Sequence, residues 1–259
     1  MQLSSLERAV WYLGPLLSFL LLIFLAQRKL LRQYTALAFS LAVSLSRTAL
    51  LIVIPFNTNR YAEVWMITAP VLWVAYVLVG WEIAGKIFES YRGLSILSRR
   101  SLLALVSITT LVAIAVLGPE LNFSRELYPW LLLFSIVEKT LVLALSLFLL
   151  ALCGFMAWYA MPVRRNLVYY ALGYTLFLLG LSASLYLRNV FGASVTRWIS
   201  TGALTILDCC LVAWMFTLTR TGDELKAAIG LPWHPSQQQH LTAQLAAMNS
   251  YLMGGTRKI

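Results

Sequence analysis

The residues in this 259-residue chain best placed to do chemistry are four charges inside long apolar runs: Arg47, Glu138, Lys139 and Asp208. A charge within the hydrocarbon core costs about 2.5–3.5 kcal/mol on insertion scales unless it is paired or hydrated. Two cations and two carboxylates could therefore bind an ion or charged solute, relay protons, or clamp helices together. At about 1.5 Å per residue, Arg47 lies roughly 12 Å from the outer end of its span, Glu138 and Lys139 roughly 15 Å, and Asp208 roughly 18 Å. These similar depths make Arg47 with Glu138 the first expected pair and Lys139 with Asp208 the second. Adjacent on a helix, Glu138 and Lys139 point about 100° apart, so Lys139 can snorkel instead.

Small and hydroxyl residues extend these positions along single helix faces. Ser40 and Ser44 precede Arg47 at i, i+4, i+7 spacing, and Thr201 and Thr205 precede Asp208 likewise. Ser135 lies one turn before Glu138, and Gly173, Phe177, Gly180 and Ser184 share a face. Such stripes form either helix–helix seams or the wall of a polar cavity. The second reading places a cavity between spans two, five, six and seven, open to the outside, with Ser44 and Thr205 joining the four charges as ligand or ion site. A further group, Glu82, Lys86 and Glu89, follows i, i+4, i+7 spacing at the end of the third span. It reads as a solvated helix extension. With Arg92, Arg99 and Arg100 it alternatively forms a docking surface or a contact with anionic lipid heads.

The elements that must position these residues are membrane spans. Hydrophobic residues make up 60% of the chain and charged residues only 12%, against about a quarter charged in soluble domains. That excludes a disordered chain and argues against a soluble enzyme. Seven runs approach the roughly 20 apolar residues a spanning helix needs: about Ala9–Ala26, Tyr34–Phe56, Ala62–Gly85, Ser101–Leu117, Tyr128–Leu152, Leu167–Leu187 and Trp198–Thr219. The first run is expected to be a retained span, since Arg28, Lys29 and Arg32 follow it and no small-x-small cleavage site closes it. With the N-terminus outside, thirteen Lys and Arg fall in inner segments and five in outer ones, leaving Arg47 and Lys139 within spans. That bias predicts the C-terminus in the cytoplasm. The expected fold is an all-α, seven-helix transmembrane bundle over residues 1–219, with a cytoplasmic tail over 220–259.

In the tail, a short helix is expected from Gly222 to Ile229 and a longer amphipathic one over about 236–253. Along the longer helix Leu241, Leu245, Met248 and Leu252 form a two-heptad seam. It either lies on the membrane or under the bundle, or it contacts a partner protein or a second copy.

No cofactor is expected. Both histidines, His234 and His240, lie in the tail, so no span offers a two-histidine haem site or the usual transition-metal ligands. The last span has no lysine for a retinal Schiff base. No Walker loop, Gly-x-Ser-x-Gly or HExxH occurs. The net charge of +10 is explained by the loops, so no nucleic-acid partner is expected. The topology resembles the membrane sensor regions of some bacterial signalling proteins and of receptors more widely. That resemblance implies a bacterial inner (plasma) membrane location. The first functional expectation is a non-catalytic, receptor-like or accessory module acting through a partner. A small-solute or ion transporter with a charged midplane site comes second. An intramembrane enzyme using Glu138 or Asp208 as general acid or base comes last.

Overall fold

The structure is a computed structural model, and it describes residues 5–55, 58–117, 129–159, 161–191, 193–224, 226–228 and 235–255. These residues are nearly all helical. Seven long helices come first: α1 (Ser5–Gln27), α2 (Thr35–Val53), α3 (Asn59–Ile87), α4 (Arg92–Leu117), α5 (Pro129–Tyr159), α6 (Arg165–Phe191) and α7 (Ala193–Thr217). A strand β1 (Pro162–Arg164) lies between α5 and α6. After α7 come α8 (Arg220–Glu224), β2 (Lys226–Ala228) and α9 (Pro235–Gly255).

Among the described residues, six helices are long and apolar enough to cross a membrane: Thr35–Val53, Asn59–Ile87, Arg92–Ala115, Trp130–Tyr159, Arg165–Arg188 and Trp198–Thr217. In α1 the apolar stretch Tyr12–Gln27 is shorter. The chain is a multi-pass integral membrane protein. Its large side chains accord with that environment. Ile67, Val74, Ile108, Leu111, Leu147, Leu176 and Phe216 point outward on five different helices, a belt that water would penalise and lipid accepts.

Within the bundle α1 packs on α2 and α7, α2 on α3, and α6 between α5 and α7. The fourth helix flanks α3 and α5, and α3 also reaches α6. Leu21, Leu25, Leu37, Ile83, Leu145, Tyr170 and Trp214 fill the core. At one end of the bundle the C-termini of α1, α3 and α7 meet the N-termini of α2 and α6. Thr35 bonds Glu82, and Arg164 bonds both Glu89 and Asp223. This end also carries α8 and α9, and it is called the tail end below.

Three boundaries depart from expectation. The fourth helix begins at Arg92, so Arg99 and Arg100 stand on it rather than before it. No proline interrupts the stretch, and charge alone does not stop a helix. The sixth runs on to Phe191 and so carries Arg188. In the tail the expected helix from Gly222 to Ile229 ends at Glu224 and gives way to β2, which pairs antiparallel with β1 in the register Pro162↔Ala228, Val163↔Ala227 and Arg164↔Lys226. A three-residue ribbon between segments so distant in sequence has no periodicity to read. Gly118-Pro119 and Gly230-Leu231-Pro232, residue types that break helices, lie outside the described residues.

One turn sets the geometry of the tail end. After α1, Leu30 N–H bonds the Leu25 carbonyl and Lys29 N–H bonds that of Ala26. This is a Schellman motif, with Lys29 at φ 60 where glycine is usual. It turns Arg28 toward the end of α7, where the carbonyls of Met215 and of Leu218 just beyond the helix accept from its guanidinium. A cation there also complements the negative end of the helix dipole.

Candidate functional site

An interior cavity of about 160 Å³ lies between α1, α2, α3, α6 and α7. Ser18, Ser40, Ser44, Tyr76 and Tyr174 bring hydroxyls to it, and Leu207, Leu211, Phe177 and Trp214 complete its apolar wall. The Ser40 and Tyr174 hydroxyls are 3.5 Å apart. Tyr174 stacks on Trp214 at 6.1 Å and meets Tyr76 edge-on at 6.4 Å. Such a site can take a small ligand that presents one apolar side and one or two hydrogen-bonding groups.

The expected polar stripes supply part of this wall. Ser40 and Ser44 face the cavity as their spacing implies, and Phe177 does so from α6. Gly173 and Gly180 are seams instead. A Cβ on Gly173 would come within 2.6 Å of Trp214 Nε1, and one on Gly180 within 3.1 Å of Ile206. This cavity differs from the one expected between spans two, five, six and seven: α1 and α3 supply walls, and no described α5 residue lines it. With α6 and α3 lying between them, α5 and the cavity are separated.

The four deep charges divide into two places. Asp208 on α7 is 6% exposed, and among the described residues neither carboxylate oxygen has a hydrogen-bond partner. It faces α1, where a Cβ on Gly14 would lie 3.2 Å from its Oδ1. The expected charge pair of Lys139 with Asp208 is not formed among the described residues, because α5 packs on α3, α4 and α6 whereas α7 packs on α1 and α6. Arg47 places its guanidinium over the Trp65 ring at 5.3 Å, and its Nε is buried without a hydrogen-bond partner. Glu138 lies in the positive fields of Arg47, Arg188 and Lys139. The expected pair of Arg47 with Glu138 makes no ion pair among the described residues, and the two act on each other only through charge at a distance. Arg188 joins them because α6 extends further than its apolar run. Thr205 is exposed, and its hydroxyl bonds back to the Thr201 carbonyl at 2.9 Å.

The tail end holds a denser polar network. Tyr34 donates to Asp223 Oδ1 at 3.0 Å, and Arg164 donates to Asp223 Oδ2 at 3.0 Å and to Glu89 at 3.4 Å. Glu82 accepts from the Ala36 N–H at 2.6 Å, from the Thr35 hydroxyl at 3.1 Å and from Lys86 at 3.1 Å. Lys86 also sits 4.1 Å above the Tyr34 ring. Fully buried Asn166 clasps Thr219, donating to its carbonyl at 2.6 Å and accepting from its N–H at 3.3 Å. Tyr34, expected at the start of the second span, lies instead in the turn before α2, whose apolar span begins at Thr35. Burial first, then the Asp223 carboxylate, holds its hydroxyl protonated well above the ordinary tyrosine range.

Of this network the sequence pattern gave Glu82, Lys86 and Glu89. Glu82 also caps α2, so the group is more than a solvated extension. Tyr34, Arg164, Asn166 and Asp223 were missed. They stand singly, Tyr34 in a turn and the others on β1, at the start of α6 and on α8, and no local spacing marks partners that only the closed bundle brings together.

The tail seam divides as well. Leu245 is 1% exposed, and Leu252 is half-buried against the same core. Leu241 is half-buried, whereas Met248 is 42% exposed. Asn249 fixes the helix by accepting the Gly93 N–H at 2.8 Å. The seam therefore docks α9 chiefly on α4.

No family model, curated protein or solved structure matches the chain.

Proposed function

We propose that this is a non-catalytic, receptor-like or accessory membrane protein that binds a small ligand in the interior cavity and acts through a partner protein at the tail end. One observation supports the reading above others: the cavity wall and the tail-end network share a continuous set of packed rings. Tyr174 and Trp214 line the cavity, Tyr170 packs on both, and Tyr34 meets Tyr170 edge-on at 5.4 Å. Tyr34 then bonds Asp223. A ligand that shifts Tyr174 thus pushes on a contiguous chain ending at the surface a partner would read.

In the same proposal α1 is a seventh span. Its outward side chains Tyr12, Leu13, Leu16 and Phe19 are apolar and exposed, which suits lipid. The tail end is placed in the cytoplasm of a bacterial plasma membrane, with the N-terminus outside, because the basic segments gather there. The partner surface includes Met248 and Tyr251, which α9 leaves exposed.

Native mass spectrometry of the protein released gently from its own membrane tests the reading. A stoichiometric protein partner together with a retained small molecule is expected. A bare chain, or a homodimer without ligand, counts against it.

The unpartnered Asp208 favours a second reading, a solute or ion transporter. An uncompensated carboxylate within a span is costly and tends to mark an ion or proton path. Proteoliposome flux that stops in Asp208→Asn would support transport, and flux unchanged by that substitution would dismiss it.

A further inference from the structure

A second cavity, of about 300 Å³, opens at the tail end between the α1–α2 turn, α3, α4 and α6. Arg32, Lys86, Arg99 and Arg164 line it, against Glu89 and Asp223. Most of these charges are already matched. Lys86 holds Glu82, and Arg164 holds Asp223 and Glu89. Arg32 and Arg99 have no carboxylate partner among the described residues. Arg99 lies across the Gly85 backbone, so closely that a Cβ there would collide with its guanidinium. Its plane stands over Trp81 at 5.3 Å, and its Nε is buried without a hydrogen-bond partner. Burying a guanidinium donor unmet is costly, and the unmatched charge borders open volume.

We propose that this cavity binds a phosphate group, with Arg99 and Arg32 as its two cations. Guanidinium forks match phosphate oxygens two at a time, and with Arg164 shared between two carboxylates the site keeps a net positive charge for an anion to meet. Of the nearby carboxylates, Arg164 neutralises Asp223, and the charge on Glu89 is exposed and screened by water. Glycine at position 85 is needed so that Arg99 can lie flat against α3 and still face the cavity. The phosphate belongs either to a lipid headgroup, since the cavity sits where the helices end, or to a soluble phosphomonoester. The inference does not rest on the interior cavity.

Thermal unfolding of the purified full chain in a non-ionic detergent tests it. Three additions are compared at matched ionic strength: inorganic phosphate, short-chain phosphatidic acid and sodium chloride, the last controlling for screening. A rise in Tm with phosphatidic acid beyond that with chloride is expected. The apparent affinity should fall about tenfold or more in Arg99→Gln, as loss of one charge-assisted contact implies. Inorganic phosphate matching phosphatidic acid points to a soluble ligand, and phosphatidic acid alone points to the headgroup. Should Arg99→Gln fail to fold, Arg32→Gln, at an exposed position, carries the same comparison. No shift beyond chloride with either phosphate compound, or equal shifts in the wild type and the folded variant, overturns the proposal.

Discussion

Tyr34 and Asp223 stand 189 positions apart, yet the tyrosine hydroxyl donates a buried 3.0 Å hydrogen bond to the carboxylate. This bond ties the α1–α2 turn to α8 and so closes the first helices of the bundle onto the last. Arg164, on the other carboxylate oxygen, brings in the α5–α6 connection. Three separate connections are thus held by one side chain.

Removing that side chain is expected to cost more than removing either donor. Asp223→Ala leaves the Tyr34 hydroxyl buried and unmet, at about 1–3 kcal/mol. The contribution from Arg164 is smaller, because water still reaches that side chain. Tyr34→Phe removes one neutral donor while Arg164 keeps the carboxylate satisfied, at about 1 kcal/mol. Unfolding of the two single variants and the double in detergent checks the order. Additive losses would show that the two groups do not act as a pair.

Tyr34 also sets a pH dependence. Its proton is held more tightly in the folded chain than in the unfolded one. The contribution is therefore complete below the ordinary tyrosine value of about 10 and is lost as pH rises through the folded value. Above about pH 10 the wild type should lose stability more steeply than Tyr34→Phe. Parallel slopes for the two proteins would contradict this.

Gly173 admits Trp214. Alanine there would displace the indole, whose Nε1–H bonds the Tyr169 carbonyl at 3.1 Å. Gly173→Ala should destabilise by about 1–3 kcal/mol. Gly154→Ala, where a Cβ meets nothing within 4 Å, should be neutral or slightly stabilising. Equal Tm values for the two variants would show that α6 and α7 are not packed at Trp214.

The tail helix makes a sharper contrast. Leu245→Ala should free α9 from the bundle, at about 2–5 kcal/mol of local packing. Met248→Ala should change stability by less than about 0.5 kcal/mol. Limited proteolysis of α9 reads the difference. Faster cleavage in the Met248 variant than in the Leu245 variant would reverse the assigned faces.

The helical, membrane-embedded character was legible because hydropathy is summed over some twenty residues and survives any local error. The stripes Ser40–Ser44 and Leu245–Leu252 were legible for the same reason, since helical spacing fixes which residues share a face. What such spacing cannot give is the neighbour across the gap. Lys139 and Asp208 share a depth, but they sit on helices separated by α6. Tyr34, in a turn, and Asp223, on the short α8, are isolated polar residues, and only the order of helices around the bundle brings them together. Strand β2 was illegible because its pairing comes entirely from β1.

The most direct test of a ligand-binding interior is native mass spectrometry of the wild type and Ser44→Leu side by side, each released from its own membrane. Leucine at that position projects into the cavity and takes up part of its volume. The expected result is a small molecule retained by the wild type and lost from the variant, with both chains folded and of equal Tm. A wild-type chain that leaves the membrane with no small molecule bound, or an adduct that Ser44→Leu retains undiminished, contradicts it.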